Sequence, residues 1–168
     1  GIVVTWELWL HYGDLQVLSE HYDAMLRYIN YVEKEYIDPS SGLFTQNRHE
    51  AKLGDWLGLQ DGMNDKSLLF ESYYIYCLDI MQNTARLLNK SADEARFEST
   101  LEARKKFFAQ TYLHPQTMRT IASGFEGKQK GTPIDIQGSY VLPLAFGITE
   151  GENRTKLFKN LVRTIERA

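Results

Sequence analysis

From Leu18 to Tyr36, apolar side chains recur at Leu18, Tyr22, Met25, Ile29, Val32 and Tyr36, in alternating steps of four and three. On a helix of 3.6 residues per turn those positions form one stripe, so the spacing predicts an amphipathic helix with one covered face. Asp14 in "YGDL" is a natural N-cap for it, and Asp38-Pro39 ends the run. Upstream, "IVVTWELWLHY" is apolar enough for a partly buried helix ending at Gly13, although its β-branched start leaves the type ambiguous. Together these two segments make a hairpin with a very short joint.

Ser67 to Leu88 carries two stripes: Leu69, Tyr73, Tyr76 and Ile80 on one, and Tyr74, Cys77, Met81, Ala85 and Leu88 on the other. A helix apolar on two sides is covered on two sides. Beyond the "NKSAD" break, Glu94 to Tyr112 has a single stripe, Phe97, Leu101, Phe108 and Tyr112, with Arg104, Lys105 and Lys106 on or beside the solvated remainder. That pattern predicts an outer helix paired to an inner one. A third pair follows, with "DIQGSYVLPLAFGI" almost wholly apolar and "ENRTKLFKNLVRTIERA" striped at Phe158, Leu161, Val162 and Ile165. Pro143 lacks a backbone donor and disfavours helical geometry at Leu142, which predicts a kink or a late helix start. Only short pieces such as "GLFTQ" and "TMRTIASG" have strand character. The expectation is an all-α chain of three inner and outer helix pairs, with two long connections, 37–66 and 114–134, of the length that commonly carries function. No fixed-period repeat is visible, which weighs against a regular solenoid array.

Composition narrows the function classes. The 168 residues suffice for one domain, and 19 Lys plus Arg against 22 Asp plus Glu give a net charge of -3 with no basic block, so a nucleic-acid partner is not expected. No apolar run approaches the roughly 20 residues that span a bilayer, and the chain is expected to be soluble, with no membrane partner. One cysteine, Cys77, excludes an intrachain disulfide and a cysteine-based zinc site; it reads as a buried small hydrophobe. His11, His21, His49 and His114 lack metal-ligand spacing, so no metal site is expected. Dinucleotide, nucleoside-triphosphate and serine-hydrolase motifs are missing, and no cofactor is implied.

The excess is aromatic: ten Tyr, eight Phe and three Trp. Ring faces suit a helical core, and they also stack on sugar C–H faces. In "LGDWLGLQDGMNDK", Asp55 and Trp56 put an acceptor beside a ring in a glycine-flanked turn, a compact grip for a hydroxylated substrate. Trp56 equally suits a wedge between hairpins, and the residues alone leave both readings open. Asp38, Glu50, Asp55, Asp61 and Asp65 populate the same connection, and Glu71 follows on the next helix. Glycoside hydrolysis needs a carboxylic acid and a carboxylate around an aromatic platform, so Asp55 and Glu71 are the candidate catalytic pair, with capping the alternative for Asp61, Asp65 and Glu94. Gln137 could line a polar mouth or cap a helix. Tyr73 belongs either to the core or to a central cavity.

The order "HYGDLQVLSEHYDAMLRYINYV", "GDWLG", "LLFESYYIYCLDIM" and "IQGSYVLPLAFGI" resembles the middle of the catalytic domain of bacterial α-L-rhamnosidases, glycoside hydrolase family 78. The resemblance covers most of the chain. It implies about half of an (α/α)6 six-hairpin toroid, residues 1–168 being one segment of a longer glycosidase that inverts at terminal α-L-rhamnosides. By resemblance Asp55 and Trp56 look like sugar-site residues, joined by Tyr73 and Gln137 as candidate substrate contacts. The family's general acid lies in an acidic, Trp-containing segment before the region matching Gly1, and its base in a "WE"-like segment after the region matching Ala168. Trp6-Glu7 precedes the "YGD" joint, and the base role is not carried onto Glu7. A half toroid also leaves inner-helix faces uncovered, and self-association through them is expected. The alternatives are a non-catalytic helical domain that binds sugar or protein, and a six-hairpin glycosidase or lyase of other specificity.

Overall fold

A computed structural model describes residues 1–45 and 65–167, apart from the side chain of Glu126. Among the described residues six α-helices follow one another: α1 (Ile2–Tyr12), α2 (Leu15–Tyr36), α3 (Lys66–Leu87), α4 (Ser91–Tyr112), α5 (Gln137–Ala145) and α6 (Gly151–Glu166). The first joint is as short as the sequence suggests. Gly13 closes α1 in the left-handed region at φ 68°, its N–H donating to the Trp9 carbonyl, and the Asp14 carboxylate then accepts from Gln16 N at 2.8 Å to start α2. Leu18, Tyr22, Met25 and Ile29 are buried, the stripe their spacing predicts.

α3 is the central element, packed against α1, α2, α4 and α5. Leu68, Ile75, Leu78, Ile80 and Met81 are fully buried along it, while Phe97, Leu101, Phe108 and Tyr112 of α4 close the outer side. Polar ties cross these contacts. The Tyr22 hydroxyl donates to Asp93 at 2.7 Å, and the Tyr74 hydroxyl donates to Glu33 at 2.7 Å, with Arg96 donating to the other oxygen of that carboxylate. These bonds link α2 to α4 and to α3 without leaving the buried ring oxygens unpaired.

Three expectations need correction. α4 begins at Ser91, not Glu94, with Glu94 in its first turn ion-paired to Arg86 at 2.7 Å. α5 starts at Gln137 in spite of Pro143; the proline falls in the last turn, where its missing N–H removes one late hydrogen bond, and the helix stops two residues later. In α6 the buried side is Leu157 and Asn160, the latter donating to the Thr117 carbonyl at 2.9 Å; of the expected stripe Leu161 and Val162 are partly buried, Leu161 against the core, whereas Phe158 and Ile165 turn outward. The polar Asn160 has a carbonyl to meet on the inner side, so the helix rolls away from the purely apolar stripe. Among the described residues there are no strands, only isolated antiparallel bridges, Ile37 to Phe44, Leu113 to Thr120 and Ile121 to Pro133, within or beside the pieces that have strand character.

Candidate functional site at the starts of the inner helices

Two buried carboxylates define the end of the molecule where α3 begins. Asp65 is fully buried and caps the helix, one oxygen accepting from Ser67 N at 2.9 Å and Leu68 N at 3.4 Å. Its other oxygen accepts from Ser123 N and Ser123 Oγ, both at 2.7 Å. One side chain therefore caps α3 and pins the second long connection to it. From that connection Thr120 Oγ1 meets Ser139 Oγ of α5 at 2.7 Å. The starts of α3 and α5 thus lie at the same end, next to 120–123, and the two inner helices run side by side in one direction.

Glu71 is six residues further along α3 and also fully buried. It does not face a mouth: it turns toward α4, where Arg104 Nε donates to it at 2.8 Å and Arg104 Nη2 donates to its second oxygen. The same Nη2 donates to the Gly42 carbonyl at 3.0 Å, and the guanidinium lies 4.4 Å from the Phe107 ring centre. Burial pushes the Glu71 carboxyl up to about 7, with Arg104 working against that rise. No face of this carboxyl is open to a substrate, and its contacts are those of a tie between α3, α4 and the 38–45 turn. That turn is built by Asp38, which accepts from Ser40 Oγ, Ser41 N and Ser41 Oγ at 2.6 to 2.9 Å; these bonds bring its carboxyl down to about 2.

A third polar hub precedes α5. Asp135, at a left-handed φ of 52°, accepts from the Tyr140 hydroxyl at 2.5 Å and from Arg163 at 2.9 Å, with Arg119 3.3 Å away. Burial opposes ionisation there, but the Tyr140 bond and the two arginines hold the carboxyl below its ordinary range. The hub fixes where α5 starts, and Gln137, exposed in the first turn, follows it by two residues. Ile136, not Gln137, occupies the cap position.

Tyr73 is half exposed on the side of α3 away from Glu71, its ring edge-on to Phe146 at 5.2 Å; Tyr76 stacks flat on the same Phe146 at 4.4 Å. Beside them a cleft of about 670 Å³ opens between α1, α2 and α3, lined by Ile2, Met25, Leu69, Phe70 and Tyr73. Cys77 borders it half-buried rather than fully buried, its thiol pushed up to about 11 by desolvation. Asp55 and Trp56 lie outside the described residues. No group of three or more His, Cys, Asp or Glu side chains among the described residues could hold a metal ion. Of the sequence candidates, Tyr73 and Gln137 are exposed and Glu71 is enclosed. The structure adds Phe146, from the almost wholly apolar fifth segment, and Arg104, whose neighbours Lys105 and Lys106 disguised it as a surface residue.

Helix pairs with parallel inner members and a buried polar frame at their starts define an arc of a helical-hairpin toroid of the kind found in glycosidases. The chain belongs to the bacterial alpha-L-rhamnosidase six-hairpin glycosidase domain family, whose description matches residues 1–168. It is 30% identical to an alpha-L-rhamnosidase of Streptomyces avermitilis over 166 residues, 99% of this chain and 14% of that protein. With an alpha-L-rhamnosidase of Formosa agariphila it shares 22% identity over 175 residues, 99% of this chain and 16% of the relative. The crystal structure of the Streptomyces avermitilis enzyme complexed with L-rhamnose superposes with a TM-score of 0.76 at 25% identity, covering 99% of this chain and 14% of that one. The Aspergillus terreus enzyme gives 0.77 at 20% identity, 99% of this chain and 18% of that one, a likeness of fold. The chain thus spans less than a fifth of the length of each of these proteins.

Proposed function

We propose that this chain is one segment of the (α/α)6 catalytic domain of an inverting α-L-rhamnosidase and contributes part of its sugar pocket. The observation that supports this most is the match of all of residues 1–168 to the six-hairpin rhamnosidase domain, joined to a toroid-like arc. In this reading Asp55, Trp56, Tyr73 and Gln137 contact the rhamnosyl group, and the acid and base that cleave the bond come from other segments of the parent. Glu71, ion-paired and enclosed, shapes the frame rather than reacting. Water attacks the anomeric carbon while an acid protonates the leaving oxygen, and the product is L-rhamnose. No helix among the described residues is long and apolar enough to cross a membrane.

The test is titration of the isotope-labelled chain with L-rhamnose, followed by amide shifts, alongside a panel of aryl glycosides headed by aryl α-L-rhamnoside. Saturable shifts at 55–56, 69–76 and 137–140 with no turnover support the reading. Shifts elsewhere, or none, would sink it, and turnover lost in Asp55→Asn would place catalysis within these residues. Exposed Val4, Leu8, Val141, Phe158 and Ile165 on helices at the two ends of the arc also support self-association of the separate chain. Sedimentation that stays monomeric at high concentration would count against it.

A further inference from the structure

We propose that the separate chain pairs with a second copy of itself head to tail, the open side of α1 and α2 in one copy meeting the open side of α5 and α6 in the other, so that two copies close one ring of six helix pairs. The inference rests on the toroid reading and deepens the self-association drawn from it, naming which face meets which and where assembly stops.

Helix sense comes first. Ile2 and Leu69 line the same cleft and Glu7 bonds Tyr76, so α1 runs with α3, as α5 does. α2 and α6 run back against them. Tyr28 of α2 reaches the cleft beside the first residues of α1, while Arg154 and Arg163 of α6 hold the Leu144 carbonyl near the end of α5 and Asp135 just before its start. Each end of the arc therefore presents one inner and one outer helix in the same two senses, and one end can continue into the other without inverting a copy.

Both ends carry exposed apolar side chains: Val4, Leu8, Tyr28 and Tyr31 on α1 and α2, and Val141, Phe158 and Ile165 on α5 and α6. Charge decides how they pair. Residues 1–36 hold six Asp or Glu against two Lys or Arg, residues 137–167 hold three against five, and the middle pair, 66–112, nearly balances at six against seven. Two like ends would set acid on acid or base on base, whereas unlike ends attract. The spacing agrees. Glu20, Ala24, Tyr28, Tyr31 and Glu35 recur at steps of four and three along α2, an acid at each end of an aromatic centre, while Arg154 and Arg167 bracket Phe158 and Ile165 of α6. The two acids are about 22 Å apart along the axis and the two arginines about 20 Å, so with α2 and α6 running in one sense Glu20 meets Arg154 and Glu35 meets Arg167. Glu35 has an exposed ion pair with Lys34, and Arg154 holds the Leu144 carbonyl, but each keeps further positions for a partner. A head-to-tail contact either closes or runs on as a filament. Three pairs are half of the six that define the family's domain, so the ring closes at two copies.

Sedimentation of the unaltered 168-residue chain should give two-chain particles that stop growing as concentration rises. Glu20→Lys with Glu35→Lys in one chain, and Arg154→Glu with Arg167→Glu in another, should each weaken pairing by about tenfold or more, since both joints then face like charges. Mixing the two variants should restore the pair, because each joint again holds opposite charges. A pair that survives either variant, as contact between like ends would, or particles that lengthen with concentration, overturn the ring while leaving self-association standing. Helical variants that fail to pair when mixed do the same. A chain that stays monomeric overturns both. Because Arg154→Glu also gives up the Leu144 bond, circular dichroism checks that variant, and salt gives a second reading on the unaltered chain. Raising it from about 0.05 M to about 0.5 M should weaken pairing by about tenfold, and pairing that salt leaves unchanged overturns the charge argument.

Discussion

Arg104→Met removes one partner from the most enclosed ion pair among the described residues, and its cost should depend on pH in a direction fixed by Glu71. The Glu71 side chain is 0% exposed and that of Arg104 13%, so solvent screens little of the interaction. Removing one member of a buried pair typically costs about 3–5 kcal/mol, because the other charge is left without compensation. The pH sign follows from the raised carboxyl. The folded state holds the Glu71 proton up to about 7 against an ordinary 4.5, so the stability tied to that proton is complete below 4.5 and lost as pH rises through 7. Without Arg104 the folded carboxyl rises further. At pH 8 the variant must bury a bare carboxylate or hold a proton against solvent, and the full penalty applies. At pH 5 a neutral Glu71 needs no counter-charge, and the cost shrinks to the lost Gly42 bond and the Phe107 contact, about 1–2 kcal/mol together. Urea denaturation of the unaltered chain and Arg104→Met at pH 5 and pH 8 measures both differences, with melting at pH 8 lower by about 10 °C. A cost below about 1 kcal/mol at pH 8, or one that does not change between the two pH values, refutes the reasoning.

Asp65→Ala removes a helix cap and the acceptor of the buried Ser123 N–H at once, so a loss of about 2–4 kcal/mol in thermal melting is expected, with faster amide exchange at Ser123. Gly42→Ala should cost about 1–2 kcal/mol, since φ is +72° there and an added Cβ would lie 3.0 Å from Phe107 Cε2; an unchanged melting curve would contradict the turn geometry. Asp135→Asn should flatten the acid limb of the stability curve. The carboxyl is held below its ordinary value in the folded chain, so its contribution is present above about 3.8 and disappears as pH falls through the folded value. A variant that loses stability in acid as steeply as the parent would exclude that role.

The stripes on α2 and α4 were legible because one covered face leaves a period of 3.6, and the caps at Asp14 and Asp65 because their chemistry is local. α6 was misread by the same logic: Asn160 is polar, yet its inner face offers a carbonyl, and a periodicity count cannot see an acceptor 43 residues away. Arg104 escaped for a related reason. Its partner is 33 positions back along the chain, and its own neighbourhood of lysines matches a solvated face. The site follows this division. Residue types sufficient for a sugar pocket are readable in "GDW" and in the tyrosines of α3, but depth is not. That Tyr73 and Phe146 meet at one level depends on the Asp65–Ser123 and Thr120–Ser139 bonds, which align the starts of two helices about seventy residues apart. Both links are small buried polar contacts with no sequence period. The frame that joins the two inner helices is therefore built from residues that look like ordinary caps and turns, and the contact of Phe146 with Tyr73 and Tyr76 acquires its place from them.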